Sequence, residues 1–193
     1  MEQAQDGELV IELQQGNLEA LGTLYDRHRQ LVFRTALAIT IDDEAAADLL
    51  QDVFLRLKRF ADHIDPTRPL EPWLYRVTTN LAYTWIKRRY VWMRAWKEMA
   101  EWLVRERRPS PHYVAEMEDA CHHVREAVSS LPPQQRIVVV LYYLNDLSLQ
   151  EISEIVSVPV GTVKSRLYYG RRALRAQLGL QGDFVPEAGY EYA

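Results

Sequence analysis

A single cysteine in 193 residues excludes an intramolecular disulfide and suits a reducing compartment. No uncharged apolar run reaches the roughly 18 residues that a membrane-spanning helix needs, so no membrane insertion is expected. The opening MEQAQDGELV lacks the basic-then-apolar order of a secretion signal, and the expected location is the cytoplasm. Sustained apolar-polar alternation, the mark of a half-buried strand, is missing too, and no repeat of fixed period is present. Helical spacing dominates instead, so the expected fold is all-α. The most consequential absence is local. Although the net charge is −4, residues 157–178 hold no Asp or Glu and five Lys or Arg. A basic helix on an acidic body suits selective DNA contact better than a general nucleic-acid coat.

That basic segment closes the run SLQEISEIVSVPVGTVKSRLYYGRRALRAQL, residues 148–178. Ser148 with Glu151 three residues on is a capping box and starts a helix. Leu149, Ile152, Ile155 and Val156 supply its buried stripe, and Pro159 requires that it end before that residue. Ser157, Val158 and Pro159 form the turn. Thr162 is a good capping residue for a second helix, in which Val163, Leu167, Gly170, Leu174 and Leu178 share one face. Lys164, Ser165, Tyr168, Arg171, Arg172 and Arg175 occupy the adjacent arc, with Arg166 the remaining cation. A rod apolar on one side and cationic on the other, entered through a short turn, is a helix-turn-helix fitted to the major groove of DNA.

Upstream, Asp6 and Gly7 open a short helix that Gly16 and Asn17 break, and Leu18 to about Thr40 forms a longer one. Asp42 and Asp43 can cap a third, acidic at its start and basic at its end, as the helix dipole prefers. In it Leu49, Leu50, Val53, Phe54 and Leu57 point to the core, while Asp48, Gln51 and Asp52 point outward, a face that solubility alone explains. Residues 61–70 read as a loop. From Glu71 to about Arg89 a helix carries Leu74, Val77, Leu81 and Trp85 as its stripe, with Trp73, Arg76, Asn80, Tyr83, Thr84 and Lys87 opposite. Aromatics between cations suit a reader of single strands, and equally a wet polar face. The helix continues through Trp92, Trp96, Met99 and Leu103, a packing stripe that reaches a preceding domain or a partner.

Arg105, Arg107 and Arg108 followed by Pro109, Ser110 and Pro111 mark a linker, and a domain boundary belongs near residue 110. Cys121, His122 and His123 lie on the next helix, where neighbours point about 100° apart, so they do not converge on a metal. Pro132 and Pro133 start a helix over Gln134–Leu144 despite the strand propensity of Ile137–Val140. The domains expected are thus 1–108 with a helical extension over 90–108, a linker and connecting helix over 109–130, the helix-turn-helix domain over 131–178 and an acidic tail over 179–193. No catalytic residue, cofactor or metal is expected.

Taken together, LPPQQRIVVVLYYLNDLSLQEISEIVSVPVGTVKSRLYYGRRAL, AAADLLQDVFLRL and EPWLYRVTTNLAYTWIKRR resemble the extracytoplasmic-function sigma factors, two-domain bacterial transcription initiation factors. The resemblance covers roughly Leu9 to Leu178. It implies that Asp48, Gln51, Asp52 and Phe54 dock on the β′ coiled coil of core RNA polymerase. It assigns the loop after Phe60 and the helix bearing Trp73, Arg76, Asn80, Tyr83, Thr84, Lys87 and Arg88 to the melted minus-ten element. The minus-thirty-five element of promoter DNA would meet Thr162, Lys164, Ser165, Arg166, Tyr168, Tyr169, Arg171, Arg172 and Arg175, and an anti-sigma factor is implied as a further partner. Departures from the family pattern are Ala47 where an acid is common, Ser157 for Gly or Asn, Tyr169 and Gly170 for Arg and Ala, and Thr79 and Thr84 for Arg and Asp. The rival from the same residues is a stand-alone helix-turn-helix regulator that binds duplex DNA without polymerase. A helical enzyme using Cys121, His122 and His123 is the rival from another class.

Overall fold

A computed structural model describes the backbone of residues 2–103 and 116–179, with side chains over 6–90 and 123–179. Among the described residues there is no strand. The helices are α1 (Glu2–Gln14), α2 (Leu18–Thr40), α3 (Asp43–Arg59), α4 (Glu71–Leu103), α5 (Glu116–Ser130), α6 (Pro133–Tyr143), α7 (Leu149–Val156) and α8 (Val160–Gln177), with one 3-10 turn at Ala61–His63. The linker run at 105–111, the side chains of Trp92, Trp96, Met99, Leu103, Cys121 and His122, and the tail from 180 lie outside the described residues.

Local chemistry sets most boundaries. Asn17 caps α2 by accepting from the Glu19 N–H at 3.0 Å, and Asp42 caps α3 by accepting from Ala45 N–H at 3.0 Å. The Ala45 N–H, the largest influence, holds the Asp42 carboxyl below its ordinary range; desolvation comes next and works against it, and the Arg89 guanidinium adds to the lowering. Asp6 does not start α1, which runs through it from Glu2. It is instead buried against α2, where Oδ1 accepts from Arg27 at 2.7 Å and Oδ2 meets His28 Nε2 at 2.6 Å. The valine-rich α6 is helical because Pro133 sits in its first turn and burial overrides β propensity: Ile137, Val138, Val139, Val140 and Leu141 are all buried.

Two apolar clusters organise the packing. One holds α1, α2, α3 and the start of α4 together through Val10, Leu13, Leu24, Val32, Val53, Leu57, Leu70 and Leu74. The other does not respect the boundary near residue 110. It joins Ala36, Ile39, Ala46, Leu49, Tyr75, Ala82 and Ile86 to Leu131, Ile137–Leu141, Ile152, Ile155, Val163 and Leu167. The helix-turn-helix module therefore sits on α2 and α4. This second layer widens the buried arc of α4 beyond the expected stripe: Leu74, Tyr75, Thr78, Thr79, Ala82 and Ile86 are buried, while Val77, Leu81 and Trp85 are only half-buried.

Polar contacts cross the same seam. The buried Arg136 donates to the Ile39 carbonyl at 2.8 Å, and to those of Ser129 and Leu131 on its own side. Asn145 Nδ2 donates to Thr35 Oγ1 at 3.0 Å and to the Tyr75 hydroxyl at 3.3 Å. Buried polar groups left without such partners cost about 1–3 kcal/mol each, so these bonds fix how the modules meet.

Two helical glycines behave oppositely. A Cβ on Gly7 would lie 2.3 Å from the Pro66 carbonyl oxygen, whereas one on Gly22 would meet nothing within 4 Å. Gly22→Ala is expected to raise stability by about 1 kcal/mol through helix propensity. Gly7→Ala is expected to lower it by about 1–3 kcal/mol through overpacking. Thermal melts of the two variants beside wild type check the opposite signs.

Candidate nucleic-acid interface

The helix-turn-helix is built as its sequence requires. Both halves of the Ser148 capping box form, with Ser148 N–H donating to Glu151 Oε2 at 2.8 Å and Glu151 N–H to Ser148 Oγ at 3.2 Å. Ser157 takes the left-handed conformation (φ 54°) that ends α7, at the position where glycine carries no Cβ penalty. Thr162 is not the cap of α8. The helix already starts at Val160 behind Pro159, whose carbonyl accepts the Thr162 N–H at 2.8 Å. Proline fixes the entry here without a side-chain cap.

Val163, Leu167 and Gly170 face the core as expected, and Gly170 has a specific reason. A Cβ there would fall 2.8 Å from Val139 Cγ2, so glycine lets α8 lie directly on α6. Lys164, Ser165, Tyr168, Tyr169 and Arg172 are exposed, and Thr162, Arg166, Arg171 and Arg175 are half-buried. The Arg171 guanidinium lies 5.1 Å from the ring centroids of both Tyr142 and Tyr143, a cation–π arrangement that presets its direction. Tyr168 and Tyr169 pack edge to face at 5.3 Å, leaving Tyr169 55% exposed. Ser165 Oγ donates back to the Gly161 carbonyl.

On α4, Arg76, Asn80, Thr84, Lys87 and Arg88 are exposed, and Trp73 and Tyr83 half-buried. Lys87 Nζ stands 4.7 Å over the Tyr83 ring. Two of these side chains are engaged by the other module. Arg76 Nη2 donates to the Glu154 carbonyl of α7 at 2.6 Å. The Tyr83 hydroxyl accepts from Gln134 Nε2 at 3.2 Å, and Gln134 Oε1 in turn accepts from Arg166 at 2.9 Å. One glutamine thus touches a candidate single-strand reader and a candidate duplex reader together. Neither Gln134 nor Asn145 carries a motif signal, because their roles arise from contacts across the seam.

On α3, Asp48, Gln51 and Asp52 are exposed, but Phe54 is not available to a partner. It is 5% exposed, edge to face with Tyr25 at 4.9 Å, and supports the helix from beneath. The apolar side chain on the acidic face is Leu55, 62% exposed and seven residues from Asp48, hence on nearly the same side of the helix. Away from these faces, ligand atoms of Asp6, His28 and Glu71 come within 4.8 Å of one another. Both Asp6 oxygens are already bonded, and the group ties α1 to α2. His123 is exposed.

The Sigma-70 region 2 family model matches residues 24–90 and the Sigma-70, region 4 model matches residues 122–174. SigW of Bacillus subtilis, an ECF RNA polymerase sigma factor, is 30% identical over 177 residues, 88% of this chain and 94% of that one. The chain belongs to the ECF sigma factors. SigE of Mycolicibacterium smegmatis, another such factor, is 34% identical over 156 residues, 80% of this chain and 60% of its own. The fold of this sigma factor is similar to that of CnrH solved in complex with the cytosolic domain of CnrY, with a TM-score of 0.65 at 22% identity over 92% of this chain and 99% of that one. As a member of the family the protein binds core RNA polymerase and directs promoter-specific initiation. Its relatives are not enzymes, and no helix among the described residues is long and apolar enough to cross a membrane.

Proposed function

We propose that α8 of this sigma factor reads the minus-thirty-five duplex through Lys164, Ser165, Tyr168, Arg171 and Arg172, with Arg166 and Arg175 on the phosphates. The outer face of α4, from Trp73 through Arg76, Asn80, Tyr83, Thr84 and Lys87 to Arg88, together with the 61–70 loop, takes the melted minus-ten strand. Asp48, Gln51, Asp52 and Leu55 form the surface offered to polymerase. An anti-sigma partner would hold the protein off polymerase.

The observation that carries the mechanism is the bridging Gln134. The two promoter elements lie about 25 base pairs apart, roughly 85 Å at 3.4 Å per pair. In the closed form a single side chain spans the two readers. The closed form does not serve both elements at once. Function on this reading needs α6, α7 and α8 to leave α2 and α4, freeing Arg76 and Tyr83 for the strand.

Run-off transcription with core polymerase, with and without the protein, on templates carrying candidate promoters is the test. Start-site-specific stimulation supports the reading. Tight duplex binding by the protein alone, with no stimulation of polymerase, would instead make it a stand-alone regulator.

A further inference from the structure

The loop assigned to the melted strand is held from behind by a helix that neither family match includes. Helix α1 lies outside both 24–90 and 122–174. Its last residue, Gln14, reaches the loop across almost 50 positions of sequence. The Gln14 amide donates to the Ala61 carbonyl and to the Ile64 carbonyl, each at 3.0 Å, using both hydrogens of one NH₂ group. Two turns earlier Gly7 lies directly against the Pro66 carbonyl. Between them Val10 and Leu13 pack with Ala61, Ile64 and Leu70 in one buried cluster. The helix is thus fixed along the inner side of the loop at 61, 64 and 66, and Asp6 with Arg27 and His28 fixes the helix itself.

The outer side of the loop is free. Asp62, His63, Asp65, Thr67 and Arg68 are exposed, and Phe60 at its entry is 40% exposed. Asp65 Oδ1 accepts from both the N–H and the hydroxyl of Thr67, so the loop's distal turn is set internally. What the loop lacks is an internal bond fixing the carbonyl of Ile64 among those its own residues make, and Gln14 supplies it.

We propose that Gln14 is a positioning residue for base selection at the minus-ten element: it never touches DNA, and it sets the loop shape against which an unpaired base is chosen. The proposal rests on the assignment of the loop to the melted strand. Geometry of this kind affects selection more than strength, because a loop that relaxes still offers polar groups but no longer in one arrangement.

The test compares wild type with Gln14→Met, which keeps length and apolar packing but has no donor, and with Gln14→Arg, which restores donors. Run-off transcription with core polymerase is measured on promoters with each of the four bases at every minus-ten position and a fixed minus-thirty-five element. Melting temperature and core polymerase binding are measured alongside. The expected result is that Gln14→Met flattens the preferred-to-disfavoured base ratio at one or two adjacent positions by about fivefold, the equivalent of one net hydrogen bond. Polymerase binding and melting temperature stay close to wild type, and Gln14→Arg regains part of the ratio. A uniform fall on all templates that follows the melting temperature, or an unchanged base ratio, overturns the proposal. Absence of minus-ten selectivity in wild type would refute the loop's assignment itself, and is seen before any variant is examined.

Discussion

Asn145→Ala is expected to bind core polymerase about tenfold more tightly than wild type. The Asn145 amide is shared between two hydroxyls of the other module, Thr35 Oγ1 and the Tyr75 OH, and Thr35 is fully buried. Removing it leaves the two hydroxyls short of a partner only while the modules are closed, at about 1–3 kcal/mol each, and also removes the buried Asn145 Oδ1, which has no partner among the described residues, so the net cost is about that of one group. Opening returns them to water. The closed state is therefore raised relative to the open one, and every 1.4 kcal/mol moves the ratio about tenfold. Where only the open fraction is competent, apparent affinity rises in proportion. The residue lies in the turn after α6, outside the elements of the helix-turn-helix, so the module itself stays folded. Titration of labelled core polymerase with the two proteins measures the effect, and an unchanged affinity would mean that this contact does not limit opening.

The second large effect belongs to α8. Lys164→Glu with Arg171→Glu is expected to lower minus-thirty-five-dependent transcription by about a hundredfold, from roughly 1–3 kcal/mol for each lost contact plus the repulsion introduced. Lys164 is exposed on the outer arc, and Arg171 is aimed by its two tyrosines. Polymerase binding should be unaffected, which separates a reading defect from an assembly defect. Transcription from a template bearing only the minus-ten element, set against one with both elements, gives the comparison. Equal loss on both templates would remove α8 from the duplex.

Much of this was written locally in the chain. The Ser148–Glu151 box, the Asp42 cap and the Val163–Leu167–Gly170 stripe depend on residues a turn or two apart, and each forms as its spacing requires. Periodicity was weaker where one helix has neighbours on two sides. On α4 it named Leu74 but not Tyr75, Thr78 or Ile86, because nothing local to α4 announces that α6 and α7 cover it. On α3 spacing put Phe54 in the core while the family resemblance implied a polymerase contact for it; Phe54 is buried, and Leu55 is the apolar side chain on the outer face. Thr162 looked like a cap by type, and Pro159 supplied the helix start instead. The contacts of Gln14, Gln134, Arg136 and Asn145 join positions from about 50 to 110 apart, which no local pattern encodes.

The central claim is that the free protein is closed across the seam of α2 and α4 with α6 and α7, and opens to work. It is tested most directly by the distance between spin labels at Gly22→Cys on α2 and Ala176→Cys on α8, in a Cys121→Ser background, measured free and again in complex with core polymerase and promoter DNA. The prediction is one short, narrow distance in the free protein and an increase on the order of 50 Å in the complex, as the spacing of the promoter elements demands. An identical distance in both states, or a free protein already spread over long distances, would contradict it.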